Sequence, residues 1–95
     1  MIETKDLFQK SDLIPVIIQH WQTRQVLMLG FTNAEPYELT LKTHTAWFWS
    51  RSRQKLWNKG ESSGNYLHVK KMITDCDTDT LLYLGAPDGP PCHTG

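Results

Sequence analysis

The chain has no excess of either charge. Ten Lys and Arg stand against ten Asp and Glu in 95 residues, with a sequence pI of about 6.9. Such a balance lacks the bulk attraction that draws proteins onto nucleic acid or anionic membranes. A continuous apolar run is also missing at the amino end, where Glu3, Lys5, Asp6 and Lys10 interrupt the first ten residues. Neither a secretory leader nor a spanning helix is therefore expected, and the expected compartment is the cytoplasm, with no membrane partner and no nucleic acid. Cysteine is scarce: Cys76 and Cys92 are the whole complement, sixteen positions apart, without a C-x-x-C. Reduced thiols are expected rather than a disulfide framework. There is no βαβ rhythm, no internal repeat, no low-complexity segment and no room for a second core, so residues 1–95 read as one domain.

What is present suits a folded domain. Hydrophobic residues make up 39% of the chain, which argues against disorder. A chain this short buries only about 60–65% of its unfolded surface, so a subunit interface or a metal would add needed stability, and dimerisation is expected on that ground. Apolar runs at 13–18 and 26–31 predict two strands of a hairpin, with Pro15 placed at an edge or a bulge. Asn33 is placed as the N-cap of a helix reaching about Lys42, with Glu35 and Pro36 in its first turn and an apolar stripe from Tyr37, Leu39 and Leu41. Residues 47–49, 66–73 and 80–84 read as further strands, 60–64 as a turn and 85–91 as a Gly/Pro loop. Five strands and one main helix give a small α+β domain.

Charge is uneven locally. Arg51, Arg53, Lys55, Lys59, Lys70 and Lys71 face Glu61 alone, and the acids Asp75, Asp77, Asp79 and Asp88 follow without a Lys or Arg. Extended backbone puts alternate side chains on one face, so Asp75, Asp77 and Asp79 are expected to converge, with Cys76 turned away. Carboxylate oxygens suit Mg²⁺ and a thiolate suits Zn²⁺, which would let one segment serve two metals; a solvated acidic turn with a structural cysteine is the competing reading. Cys92 and His93 offer a second thiol and an imidazole, a weak zinc signal alone, and His93 is a ligand, a proton carrier or a loop histidine satisfied by backbone. Arg51, Arg53, Lys55, Lys59, Ser62, Ser63 and Gly64 combine cations with hydroxyls and a flexible turn, the makings of a phosphate cradle. A solvated basic loop or an RNA-touching patch is the alternative, and zero net charge favours a small phosphorylated ligand over a long polyanion. Trp47, Trp49 and Trp57 lie close to this segment, as core or interface residues or as stacking surfaces for a purine.

Taken in order, Trp49-Ser50-Arg51-Ser52-Arg53-Gln54, Leu56-Trp57, Lys59-Gly60-Glu61, Ser63-Gly64, Asp75-Cys76-Asp77-Thr78-Asp79 and Cys92-His93-Thr94-Gly95 resemble the phosphoribosyl-AMP cyclohydrolase family of histidine biosynthesis. Leu27-Met28-Leu29, then Asn33 and its helix, extend the likeness over nearly the whole chain. The resemblance implies a homodimer with a folded mixed β-sheet of pseudo-barrel form, Mg²⁺ held by Asp75, Asp77 and Asp79, and Zn²⁺ held by Cys76 of one subunit and Cys92 of the other. The implied reaction is the opening of the adenine ring of phosphoribosyl-AMP at N1–C6 by a zinc-activated water. N1 ribosylation makes C6 electrophilic, and zinc lowers the pKa of water toward ~7. His93 is then the proton shuttle, and the two substrate phosphates fall to Arg51, Arg53, Lys55, Lys59, Ser62, Ser63 and Gly64, with the two arginines foremost. The family usually continues to a third zinc cysteine, and this sequence stops at Gly95, so the implied zinc site is one thiolate short. His20 stands where the family often has an acid, and some relatives fuse a pyrophosphohydrolase domain. Rival expectations are a non-enzymatic module gripping single-stranded RNA through the tryptophans and basic segment, and an inactive truncated cyclohydrolase.

Overall fold

The computed structural model describes residues 3–88. Its elements run α1 (Thr4–Leu7), β1 (Ile14–His20), β2 (Val26–Thr32), α2 (Ala34–Thr43), β3 (Trp47–Ser50), β4 (Lys55–Asn58), β5 (Leu67–Thr74) and β6 (Leu81–Pro87). The α+β class is as expected, with one short helix and one strand more than the sequence announced. The extra strand, β4, pairs antiparallel with β3 and takes up Lys55, Leu56 and Trp57 from the segment read as a basic loop. The loop expected at 85–91 is corrected in its first part, because Gly85, Ala86 and Pro87 continue β6 in register with Val69, His68 and Leu67 of β5, while residues 89–91 lie outside the described residues.

Four strands form a mixed sheet in the order β2-β1-β6-β5. β1 and β2 are the expected antiparallel hairpin, while β1 and β6 pair in parallel. That parallel pair had no signal in the sequence, since nearly the whole chain separates its two strands and no local βαβ unit announces it. Pro15 is tolerated where β1 still has a free side, because the ladder to β6 begins only at Val16. The bulge in this pair lies elsewhere, on β2, where Leu27 is left over between the Ile18–Met28 and Gln19–Val26 pairs. At the hairpin tip Arg24 takes a left-handed φ of 66°, and His20 Nδ1 accepts the N–H groups of Gln22 and Thr23 at 3.1 and 3.2 Å.

One face of the sheet is covered. Val16, Ile18, Leu81 and Tyr83 meet Tyr37 of α2, Phe48 of β3 and Leu7 of α1 in the core. Helix α2 begins after Asn33 as expected, although the Asn33 side chain makes no capping hydrogen bond. Pro36 falls in the first turn, where no intrahelical partner is needed. His44 closes the helix in left-handed conformation with its N–H on the Thr40 carbonyl, and Thr40 Oγ1 accepts the Trp47 N–H at 3.0 Å, tying helix to strand. Trp47, Trp49 and Trp57 are all half-buried, and Trp57 packs against Phe48 with ring centroids 5.1 Å apart. The reading as a packing residue is borne out for Trp57.

The opposite face has no second layer among the described residues. Register aligns Leu29, Ile17, Leu82 and Ile73 in a row across all four strands, with Leu29 58% exposed and the nearby Val26 60% exposed. Gly30 lies on the covered face, where a Cβ would stand 2.6 Å from a Phe48 ring carbon, so its hydrogen is what lets β3 lie against β2.

Candidate functional site: an acidic turn and a cationic cleft

Residues 75–80 connect β5 to β6 as a turn, not as the extended segment expected. Thr78 sits at φ 58°, its N–H on the Asp75 carbonyl, while Asp75 Oδ1 accepts the N–H groups of Asp79 and Thr80 at 3.1 and 3.3 Å. The Asp79 hydrogen bond leads the causes that hold the Asp75 carboxyl below the usual range. Convergence survives the change of backbone: one carboxylate oxygen from each of Asp75, Asp77 and Asp79 lies within 4.8 Å of the others. An octahedral Mg²⁺ with oxygens at about 2.1 Å holds neighbouring ligands roughly 3.0 Å apart, so the turn would draw its carboxylates closer to seat one. The donor set fits. Cys76, in the same turn, is an exposed free thiol, open to a soft metal such as Zn²⁺. Lys10 reaches the turn as well, its ammonium 3.8 Å from Asp79 Oδ2.

The β3–β4 hairpin carries the arginines. Its turn is closed by the Gln54 N–H on the Ser50 carbonyl at 2.8 Å and by the Arg53 N–H on Ser50 Oγ at 3.2 Å. Arg51 lies over the Phe31 ring, 3.7 Å from its centroid. A cleft of about 520 Å³ opens here between Leu29, Gly30 and Phe31 of β2 and Trp49, Ser50, Arg51, Ser52 and Trp57 of the hairpin. Arg53 and Lys55 are exposed beside it. Lys59 begins the next turn, in which Gly60 at φ 102° would bring a Cβ within 2.3 Å of the Asn65 carbonyl oxygen. Ser62, Ser63 and Gly64 share this turn. The Gly64 N–H is spent on the Gly60 carbonyl at 2.7 Å, and Ser63 Oγ accepts the Asn65 N–H at 3.2 Å. Among the described residues no hydrogen bond or ion pair joins these cations to the acidic turn.

Register shows how the two parts relate. Gly30, Val16, Leu81 and Thr74 are aligned across the sheet, so Phe31 and Asp75, each one residue further, stand at the same end of it. Three strand spacings separate them, about 14 Å. The arginine cleft and the acidic turn thus flank one end of a single sheet at the span of an extended nucleotide. Cys92 and His93 fall outside the described residues. Phe31 and Lys10 are contacts that sequence reasoning missed, because neither a ring under a guanidinium nor a lysine arriving from 69 positions away leaves a local pattern.

Fold and site together define a small α+β domain with a carboxylate cluster of metal-holding geometry and an aromatic, cation-bearing cleft. Residues 28–95 match the family model described as phosphoribosyl-AMP cyclohydrolase. The chain belongs to the phosphoribosyl-AMP cyclohydrolase family. It is 53% identical over 94 residues to a phosphoribosyl-AMP cyclohydrolase of Cenarchaeum symbiosum (strain A), covering 99% of this chain and 87% of that protein. To the enzyme of the same name from Nitrosopumilus maritimus (strain SCM1) it is 49% identical over 94 residues, again covering 99% and 87%. The histidine biosynthesis bifunctional protein HisIE of Lactococcus lactis subsp. lactis (strain IL1403) is 57% identical over 88 residues, 93% of this chain but 42% of that longer protein. No helix among the described residues is long and apolar enough to cross a membrane.

Proposed function

We propose that this chain opens the adenine ring of phosphoribosyl-AMP by hydrolysis at N1–C6, within histidine biosynthesis in the cytoplasm. The observation that carries the reading is the placement of an arginine cleft and a three-carboxylate turn at one end of the sheet, in a chain of this family. Arg51 and Arg53, with Lys55 and Lys59 behind them, receive phosphate oxygens, to which a guanidinium offers paired donors. Ser62 and Ser63 offer hydroxyls to the same anion, and Gly64 shapes the turn that carries them. The carboxylates of Asp75, Asp77 and Asp79 hold Mg²⁺, and the thiolates of Cys76 and of Cys92 from a second subunit hold Zn²⁺. When bound, zinc supplies the Lewis acidity that makes hydroxide available near neutral pH. His93 carries the proton from the attacking water toward ring N1 as the C–N bond breaks.

A homodimer is part of this reading. The apolar row of Leu29, Ile17, Leu82 and Ile73 is the kind of surface that a soluble domain covers with a partner, and a second copy presents the same row. Ultraviolet assay of ring opening together with elemental zinc per chain tests the whole. Cys92→Ala is expected to lose both zinc and turnover, and Asp77→Asn to raise the Mg²⁺ concentration needed. Ring opening by the parent protein at full rate in excess chelator would overturn the metal assignment. RNA binding, the other class of function, would instead fall steeply with salt and ignore chelator.

A further inference from the structure

We propose that Phe31 is a positioning residue for the phosphate-binding arginine, its ring fixing the Arg51 guanidinium at the mouth of the cleft; this rests on the anion-binding reading of Arg51 given above. The first support is geometric. The guanidinium carbon lies 3.7 Å from the Phe31 centroid, the distance of direct contact between a cation and a ring face. A second comes from what Arg51 does not do. Among the described residues its side chain has no carboxylate partner and donates no hydrogen bond; only its backbone carbonyl is engaged, accepting from Gln54 Nε2 at 2.7 Å.

An arginine held by a carboxylate has spent charge and donors on it. One held by a ring keeps its five N–H groups and full charge for an incoming anion while losing much of its rotamer freedom beforehand. The third support is where the ring comes from. Gly30 and Thr32 are buried on the covered face, so the Phe31 side chain between them projects from the other, on the same side as Leu29. The β3–β4 hairpin therefore grips the edge strand from two sides, with Phe48 beneath it against Gly30 and Arg51 above it against Phe31. That grip seats the guanidinium of a turn residue against a ring of the rigid sheet.

AMP, a stable nucleoside monophosphate, serves as the probe. Titration of the full chain with AMP is expected to show roughly three- to tenfold weaker binding for Phe31→Leu, with Phe31→Tyr within about twofold of the parent. Arg51→Ala should weaken it at least as much as Phe31→Leu. In turnover of phosphoribosyl-AMP, Phe31→Leu should raise KM and leave kcat near the parent value. Weak AMP binding by Arg51→Ala alongside parent-like binding by Phe31→Leu would overturn the positioning role and leave the functional reading intact. Parent-like binding by Arg51→Ala would overturn the anion assignment itself. Phe31→Leu must keep its fold for this comparison, so the parent protein supplies an independent measurement: the Arg51 side-chain NMR resonances should be shifted by the ring current and should lose that shift in Phe31→Met. Unshifted Arg51 resonances in the parent would also overturn the proposal.

Discussion

At Gly30 a single hydrogen decides whether the hairpin can lie on the sheet. Alanine there would push its methyl to within 2.6 Å of a Phe48 carbon that is itself fully buried. Since Phe48 cannot retreat without opening the core, Gly30→Ala is expected to cost about 1–3 kcal/mol, read as a lower denaturant midpoint with an unchanged slope. Because the same hairpin carries Arg51, AMP affinity should fall with it. Tyr83 gives a second prediction at this scale. Burial raises its phenol far above the ordinary value, with Tyr37 adding to the effect and the Thr40 side chain opposing it, and burial raises Tyr37 as well. A phenol that ionises more readily unfolded than folded stabilises the fold below the unfolded pKa of about 10, and that contribution is lost as pH rises beyond it. Alkaline unfolding should therefore begin near pH ~10 and begin later in Tyr83→Phe, followed by far-ultraviolet circular dichroism.

The β5–β6 turn shows what a sequence can and cannot say about an element. Three aspartates spaced two apart were enough to foresee that their carboxylates meet, yet the backbone that brings them together is a turn and not a strand. Spacing of two is compatible with both, and what decides between them is nonlocal: Leu81 must enter beside Val16, and Thr74 must leave opposite it, so the chain has to reverse within the intervening residues. The same limit hid the parallel β1–β6 pair and strand β4. The β1–β2 hairpin and α2 were legible because their patterns are local. Phe31 beneath Arg51 was not, since it depends on how β3 lies across β2. For the turn itself, Mg²⁺ bound only by the folded chain should raise the thermal midpoint in proportion to the logarithm of its concentration above Kd. Asp77→Asn should flatten that response. Lys10→Ala should move its onset to lower Mg²⁺, because the ammonium beside Asp79 competes for the same oxygens. An equal midpoint with and without Mg²⁺ in the parent would remove the turn from consideration as a cation site.

For the molecule as a whole, the decisive feature is a four-stranded sheet whose helices, among the described residues, lie on one face. On the uncovered side Leu29, Ile17, Leu82 and Ile73 continue one another across the strands, and Val26 extends the surface along β2. A small domain has little apolar burial to spare, so covering this row with its own copy adds stability where a single chain has least. Replacing Leu29 and Val26 by lysine puts four like charges into such an interface and removes its most exposed apolar groups, while both positions remain solvated in a lone chain. The double variant is expected to sediment as a folded monomer with a lower thermal midpoint, and to bind Mg²⁺ like the parent, because the three aspartates belong to one turn of one chain. Zinc, which on this reading needs Cys76 and Cys92 from different chains, should be lost on dissociation. A monomeric variant that keeps its zinc would place both thiols in one subunit, and a parent protein that is itself monomeric at micromolar concentration would leave the exposed row to another partner.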